Sequence, residues 1–206
     1  MQESTLDVFS ILLDGGWVMI PLFILGLIIY GLGISIILFF RRNNFRKATP
    51  EQINAWVEDP LIAEGQVGEI LRYAQEDVGS MEQIQTRFEE VRLSEIPPIN
   101  QSIVVLSILV NAAPLMGLLG TVLGMLTTFQ GISMGGAEKT TDLVAKGISE
   151  ALITTQMGLF LAIPGYFLVY NVKAKRASFE SFLVRLESLT LQEFKKRTQP
   201  DDSAAA

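Results

Sequence analysis

Hydroxyls stand inside otherwise uncharged runs, Thr121 and Thr128 in one and Thr154 and Thr155 in another, and one carboxylate, Glu150, abuts the second of these runs. Thr154, Thr155 and Gln156 stand inside the uncharged stretch Ala151 to Val172, and Thr121 inside the uncharged stretch Ile96 to Ala137. Threonine and glutamine do not ionise in the accessible range, so they can hold water or bond an ion but cannot carry protons by titration. A proton path through these residues therefore predicts a partner helix that brings an Asp or Glu. Two readings fit Glu150. A carboxylate beside hydrocarbon is costly unless it faces water or a partner, which suits a proton-path residue. Alternatively it sits at headgroup level and pairs with Lys146 one helical turn earlier. There is no histidine and no cysteine, which removes imidazole triads, thiol nucleophiles, and the usual zinc and haem ligand sets. No enzyme, no cofactor and no metal site is expected.

The elements that must position these groups follow from composition. Of 206 residues 49% are hydrophobic and 18% charged, with a mean hydropathy of +0.37; the bilayer is the expected solvent. Two uncharged runs, Gly15 to Phe40 and Ile96 to Ala137, exceed the roughly 20 residues that cross hydrocarbon, and Ala151 to Val172 reaches that length. The expected fold is all-α and membrane-integral. It has transmembrane helices over 16–40, 101–133 and 143–172, with the second and third extending into a cytoplasmic helical domain. A periplasmic interfacial helix is expected over 1–15, a cytoplasmic helical segment over 41–100, a short periplasmic loop over 134–142, and a cytoplasmic helix and tail over 173–206. Orientation comes from the basic flanks Arg41, Arg42, Arg46, Lys47 and Lys173, Lys175, Arg176, since short basic flanks stay cytoplasmic. Met1 to Asp14 has no basic residue, unlike a cleaved signal peptide. The N-terminus is thus placed outside and the C-terminus inside. A net charge of −6 argues against nucleic acid as a partner.

Local signals refine this layout. Ser4 or Thr5 can cap a helix with Leu6, Phe9, Leu12 and Leu13 on one face. Thr49-Pro50-Glu51-Gln52 reads as a capping box with proline at the first helical position, and Ser80 with Gln83 as a second cap. From there Met81, Ile84, Phe88 and Val91 repeat at helical spacing up to Pro97 and Pro98, which either bend that helix or start a new one. The segment shows no glycine-rich phosphate loop.

Residues 96–137 would reach about 63 Å as one helix at ~1.5 Å per residue, so part must project beyond a bilayer core of ~30 Å. Gly117, Thr121, Gly124, Thr128, Gly131 and Gly135 fall on one helical stripe with Gly120 beside it. Gly147, Ala151, Thr154 and Gly158 repeat the device in the third span, with Ala162 and Gly165 on an adjoining line. Small residues on one face let membrane helices approach closely, so tight packing covers the glycines, and threonine can bond its own backbone and do nothing more. Pro114 and Pro164 remove a donor each and free the carbonyls of Val110 and Phe160, which predicts kinks there.

The run Ala113-Pro114-Leu115-Met116-Gly117-Leu118-Leu119-Gly120-Thr121-Val122-Leu123-Gly124-Met125, then Phe129, resembles the second-span signature of the ExbB/TolQ/MotA proton-channel family. Gly147-Ile148-Ser149-Glu150-Ala151-Leu152-Ile153-Thr154-Thr155-Gln156-Met157-Gly158-Leu159, then Ala162-Ile163-Pro164 and Tyr170-Asn171, is similar to the third span. Gly15-Gly16-Trp17-Val18-Met19-Ile20-Pro21-Leu22 is similar to the entry of the first span in ExbB-type members. Three spans match ExbB and TolQ and depart from the four-span MotA. The resemblance implies a bacterial inner-membrane homo-oligomer, commonly of five copies, around a dimer of single-span ExbD/TolR-like partners that each bring an aspartate. Coupling to H+ would drive a cyclic movement passed on through a TonB- or TolA-like protein. It further implies that Thr121 and Thr155 line the pore and that Glu150 is the family glutamate. Thr154 departs from the small residue common in relatives, so either threonine of that pair is a candidate to face the pore. Gly117, Gly120, Gly124, Gly131 and Gly158 would pack the helices around it. An apolar wall disfavours a charged carboxylate and hydroxyls favour it, so alternating surroundings would load and release the proton.

Three further readings stay open: a TolQ-like subunit, a stator for motility or export, and a membrane scaffold whose stripes only pack helices.

Overall fold

The computed structural model describes residues 15–42, 49–63, 65–134 and 137–198. Among them lie five helices and no strand: α1 (Met19–Arg42), α2 (Pro50–Glu58), α3 (Gly65–Gln75), α4 (Met81–Met134) and α5 (Ala137–Thr198). Three of these, α1, α4 and α5, are long and apolar enough to cross a bilayer. The interfacial helix expected before Gly15, the Arg46-Lys47 part of the first basic flank, Gly135 of the glycine stripe, and the tail from residue 199 lie outside the described residues.

Two local outcomes differ from expectation. α5 already begins at Ala137, so residues 137–142 are helical where the charges suggested a loop up to 142. α4 runs unbroken through Pro97 and Pro98, so no new helix starts there. Both prolines are exposed, as are Leu93 and Ser94, the residues four positions earlier whose helix bonds the prolines cannot supply.

The chain divides into two units, one of residues up to Ile34 with Val104–Tyr170, the other of Ser35–Ile103 with the chain from Asn171 onward. In the first, α5 packs against both α1 and α4. Tyr30 Oη of α1 donates to the Leu161 carbonyl at 3.1 Å, and Leu161 lies over Gly26. Its outer faces are apolar and exposed, Phe23 and Leu27 on α1, Leu118 and Phe129 on α4, Phe160 and Phe167 on α5. Faces of that kind require lipid or another protein surface.

The second unit has a core of its own, with Leu71, Ile84, Phe88, Phe179, Leu183 and Leu186 fully buried. Its short helices are closed by polar side chains. Thr49 N donates to the Gln52 side chain at 3.1 Å, the reciprocal half of a capping box. At the other end of α2, whose last carbonyls have no helical partner, Gln75 Nε2 donates to Val57 O at 3.0 Å and Arg197 to Glu58 O at 2.8 Å. Arg92 bridges Glu187 of α5 and Glu89 of its own helix.

Candidate ion-path site

The hydroxyls of interest lie along the seam between α4 and α5. At its centre Gly117 and Gly158 face each other: a Cβ on Gly117 would stand 2.9 Å from the Thr154 carbonyl oxygen and 3.0 Å from the Thr155 Cα, and one on Gly158 2.7 Å from the Ala113 carbonyl oxygen. These are backbone atoms that cannot yield, so the two main chains touch only because neither position carries a side chain. The seam continues where Gly124 meets Ala151 and the Gly147 carbonyl, where Gly120 meets the Thr154 side chain, and where Gly147 meets Thr128. Gly131 is half-buried.

Each threonine has a distinct place on this seam. Thr154 is 1% exposed; its Oγ1 donates to Ala151 O at 2.9 Å, with the Gly117 carbonyl at the weak distance of 3.5 Å. The half-buried Thr155 donates across the seam to the Gly117 carbonyl at 3.1 Å. Thr121, also half-buried, donates to Leu118 O of its own helix at 2.7 Å. Carbonyls can only accept, so the protons of Thr121 and Thr155 both point into the backbone. What the two hydroxyls offer to a third party in this arrangement is lone pairs, which suit a protonated carboxyl or a water; a rotation of either hydroxyl would offer a proton instead.

Glu150 is half-buried and lies over Gly16, where φ is +69° and a Cβ would stand 1.5 Å from the Glu150 Oε1. Among the described residues no ion pair joins it to Lys146, which is exposed. The structure therefore brings Thr154 and Thr155 to Gly117 and Gly120, while Glu150 sits nearer the entry of the first span. Pro114 and Pro164 lie within unbroken helices.

One polar pair of this unit escaped sequence reasoning. Tyr166 Oη donates to Asn111 Oδ1 at 2.9 Å, joining α5 to α4 on an exposed face. Two hydrogen-bonding side chains within apolar runs were the available signal, but their pairing depends on the rotation of one helix against the other.

A membrane-spanning helical protein whose polar groups are threonines on a glycine-lined helix seam is the class that these features define. Residues 57–183, more than half of the chain, match the MotA/TolQ/ExbB proton channel family, and the chain belongs to that family. It is 40% identical over 77 residues to the Tol-Pal system protein TolQ of Haemophilus influenzae, covering 37% of this chain and 33% of the relative. It is 37% identical over 102 residues to the biopolymer transport protein ExbB of Pseudomonas putida, covering 48% and 30%. With ExbB of Salmonella typhimurium the identity is 44% over 66 residues, covering 31% and 25%. The aligned stretches thus span a third or less of these relatives' own lengths.

Proposed function

We propose that this chain is the pore and stator subunit of a proton-motive-force-driven motor in the bacterial inner membrane. In that reading about five copies form a ring, with N-termini periplasmic and C-termini cytoplasmic, around single-span ExbD/TolR-like partners that supply the titrating aspartate. The coupling ion is H+. The observation that carries the proposal is the Thr155 hydroxyl, held on Gly117 between two helices of a proton-channel family member. No Asp or Glu occurs between Ile96 and Ala137 or between Ala151 and Val172, so the path needs a carboxyl from outside this chain.

The chemistry assigned to each residue is simple. Thr121 and Thr155 accept from a protonated partner carboxyl, or from water, while their own protons stay on Leu118 O and Gly117 O. Turning either hydroxyl outward offers a donor that stabilises the carboxylate, and the two arrangements give the partner two environments. The burial of Thr154 against Gly120 supports Thr155 as the pore-facing member of the pair. Glu150 serves at the periplasmic mouth, beside Gly16. At ~2.3 kcal/mol per charge per 100 mV, passage of two or more ions supplies work beyond thermal energy.

The force would reach the envelope through a TonB-like protein and energise outer-membrane transport. The TolQ relative, as similar in its aligned region as the ExbB relatives, favours a second destination of the same motor, a TolA-like protein. Native mass spectrometry of the detergent-extracted chain, alone and with its single-span neighbour, tests the reading. A ring of about five that captures two partner chains supports it; a monomer or dimer that ignores the neighbour leaves the stripes as packing devices and overturns it.

A further inference from the structure

Outside the apolar seam, the second unit holds a groove of about 480 Å³ along α5, between that helix, the end of α1 and α2. Its apolar wall is Phe40, Ile53, Phe179 and Phe182, with the Phe40 and Phe179 rings edge to face at 6.2 Å between centroids. Its polar side is Lys175 and Arg185. Lys175, Ser178, Phe182 and Arg185 recur at steps of three and four, so they share one face of α5.

Some cations of this unit are neutralised by a carboxylate and the two at the groove are not. Arg92, Arg176 and Arg197 each pair with a carboxylate, as does Lys196. Among the described residues neither Lys175 nor Arg185 has a carboxylate within 4.0 Å. In a chain of net charge −6, two unpaired cations facing one groove are a local excess of positive charge. They lie about 15 Å apart along the helix at ~1.5 Å per residue, and long flexible stems let both charged ends turn toward the middle.

The groove also starts at a defined point of the chain. Phe40 ends the first apolar run and Arg41 is the first charge after it; Val172 ends the third and Lys173 follows. Hydrocarbon gives way to headgroups at such a point. A free phosphate would satisfy the cations and leave the aromatic wall unused, whereas a phosphodiester carrying acyl chains satisfies both. We infer that this groove binds the head group of an anionic phospholipid, with Lys175 and Arg185 on its phosphate and the first part of an acyl chain against Phe40 and Phe179.

The test is native mass spectrometry of the full chain from micelles doped with phosphatidylglycerol or with phosphatidylcholine. The expected result is retained phosphatidylglycerol with little phosphatidylcholine, and a roughly tenfold loss of retained lipid in Lys175→Gln/Arg185→Gln. Lys195→Gln/Lys196→Gln removes the same charge elsewhere on α5 and is expected to retain lipid as the parent does. Ala174→Phe fills the groove without changing charge and is expected to lose it. Equal retention by the groove variants and the parent overturns the inference, and so does an equal loss in the Lys195/Lys196 control. Displacement of the lipid by millimolar inorganic phosphate also overturns it, by making the groove a site for soluble anions.

Discussion

The Thr155 hydroxyl reaches across to the Gly117 carbonyl at 3.1 Å, at the place where Gly117 and Gly158 let two backbones touch. One side chain is thus both a tie between helices and the group assigned to the ion path, and the two roles separate experimentally. Interhelical hydrogen bonds in membranes average only about 0.6 kcal/mol. Thr155→Ala and Thr121→Ala are therefore expected to leave the oligomer mass and melting in detergent almost unchanged, while partner-dependent proton flux into liposomes is largely lost. Thr155→Ser is expected to restore most of that flux. Unchanged flux in both alanine variants would leave the hydroxyls with packing alone.

The seam itself is expected to be intolerant of even one methyl. In Gly117→Ala the new Cβ meets the Thr154 and Thr155 backbone at about 3 Å, and overpacking of this kind costs ~1–3 kcal/mol. Gly31→Ala, with nothing within 4 Å of the added Cβ, is expected to be neutral or slightly stabilising because alanine favours helix. Thermal unfolding of the two variants in the same detergent compares them directly.

Arg92 and Glu187 are mostly covered, with side chains 21% and 17% exposed. Arg92→Met strands the mostly covered Glu187 carboxylate and is expected to destabilise the second unit by about 2 kcal/mol or more; Glu187→Leu leaves Arg92 its second partner Glu89 and is expected to cost less. The double variant, which leaves only the exposed Glu89 without its partner, is expected to lose less than the sum. A double-mutant cycle from unfolding midpoints reads the coupling; strict additivity would mean the pair contributes nothing.

Tyr73 gives a pH signature on the surface of the second unit. Its hydroxyl donates to the Glu90 carboxylate, which holds the phenol above its ordinary value; slight burial and the Glu90 charge act the same way, and the Arg87 guanidinium opposes them. A raised value in the folded state means that the stabilisation is complete at neutral pH, below the ordinary value of about 10, and fades as pH rises through the raised one. Ultraviolet titration is expected to show one phenol moving to lower pH in Glu90→Ala; an unchanged curve would show that the carboxylate exerts no hold.

Much of this architecture could be read in the residues because it depends on local rules. The span-length runs, the Thr49 to Gln52 cap and the two small-residue stripes need only neighbours within a turn or two of helix. Ser80 and Gln83 show where such rules stop: Gln83 N does take the Ser80 hydroxyl at 3.3 Å, but the Gln83 side chain accepts from Gly79 N at 2.8 Å rather than from the cap residue itself. Pro97 and Pro98 allow a stop, a bend or a continuation on local rules alone, and the Asn111 to Tyr166 bond depends on how two helices are rotated, so neither outcome was legible. For the threonines, spacing gave their order along the small-residue stripes, but not that the Thr121 hydroxyl donates to Leu118 O and the Thr155 hydroxyl to Gly117 O.

Gly16 and Glu150 lie 134 positions apart in the chain, and the carboxylate occupies the space that a side chain at 16 would need. A substitution at 16 is consequently felt at 150, through the space the carboxylate fills. Any other residue at 16 must adopt a left-handed backbone and turn the carboxylate aside, so the glycine keeps the entry of the first span open to a charge carried by the third.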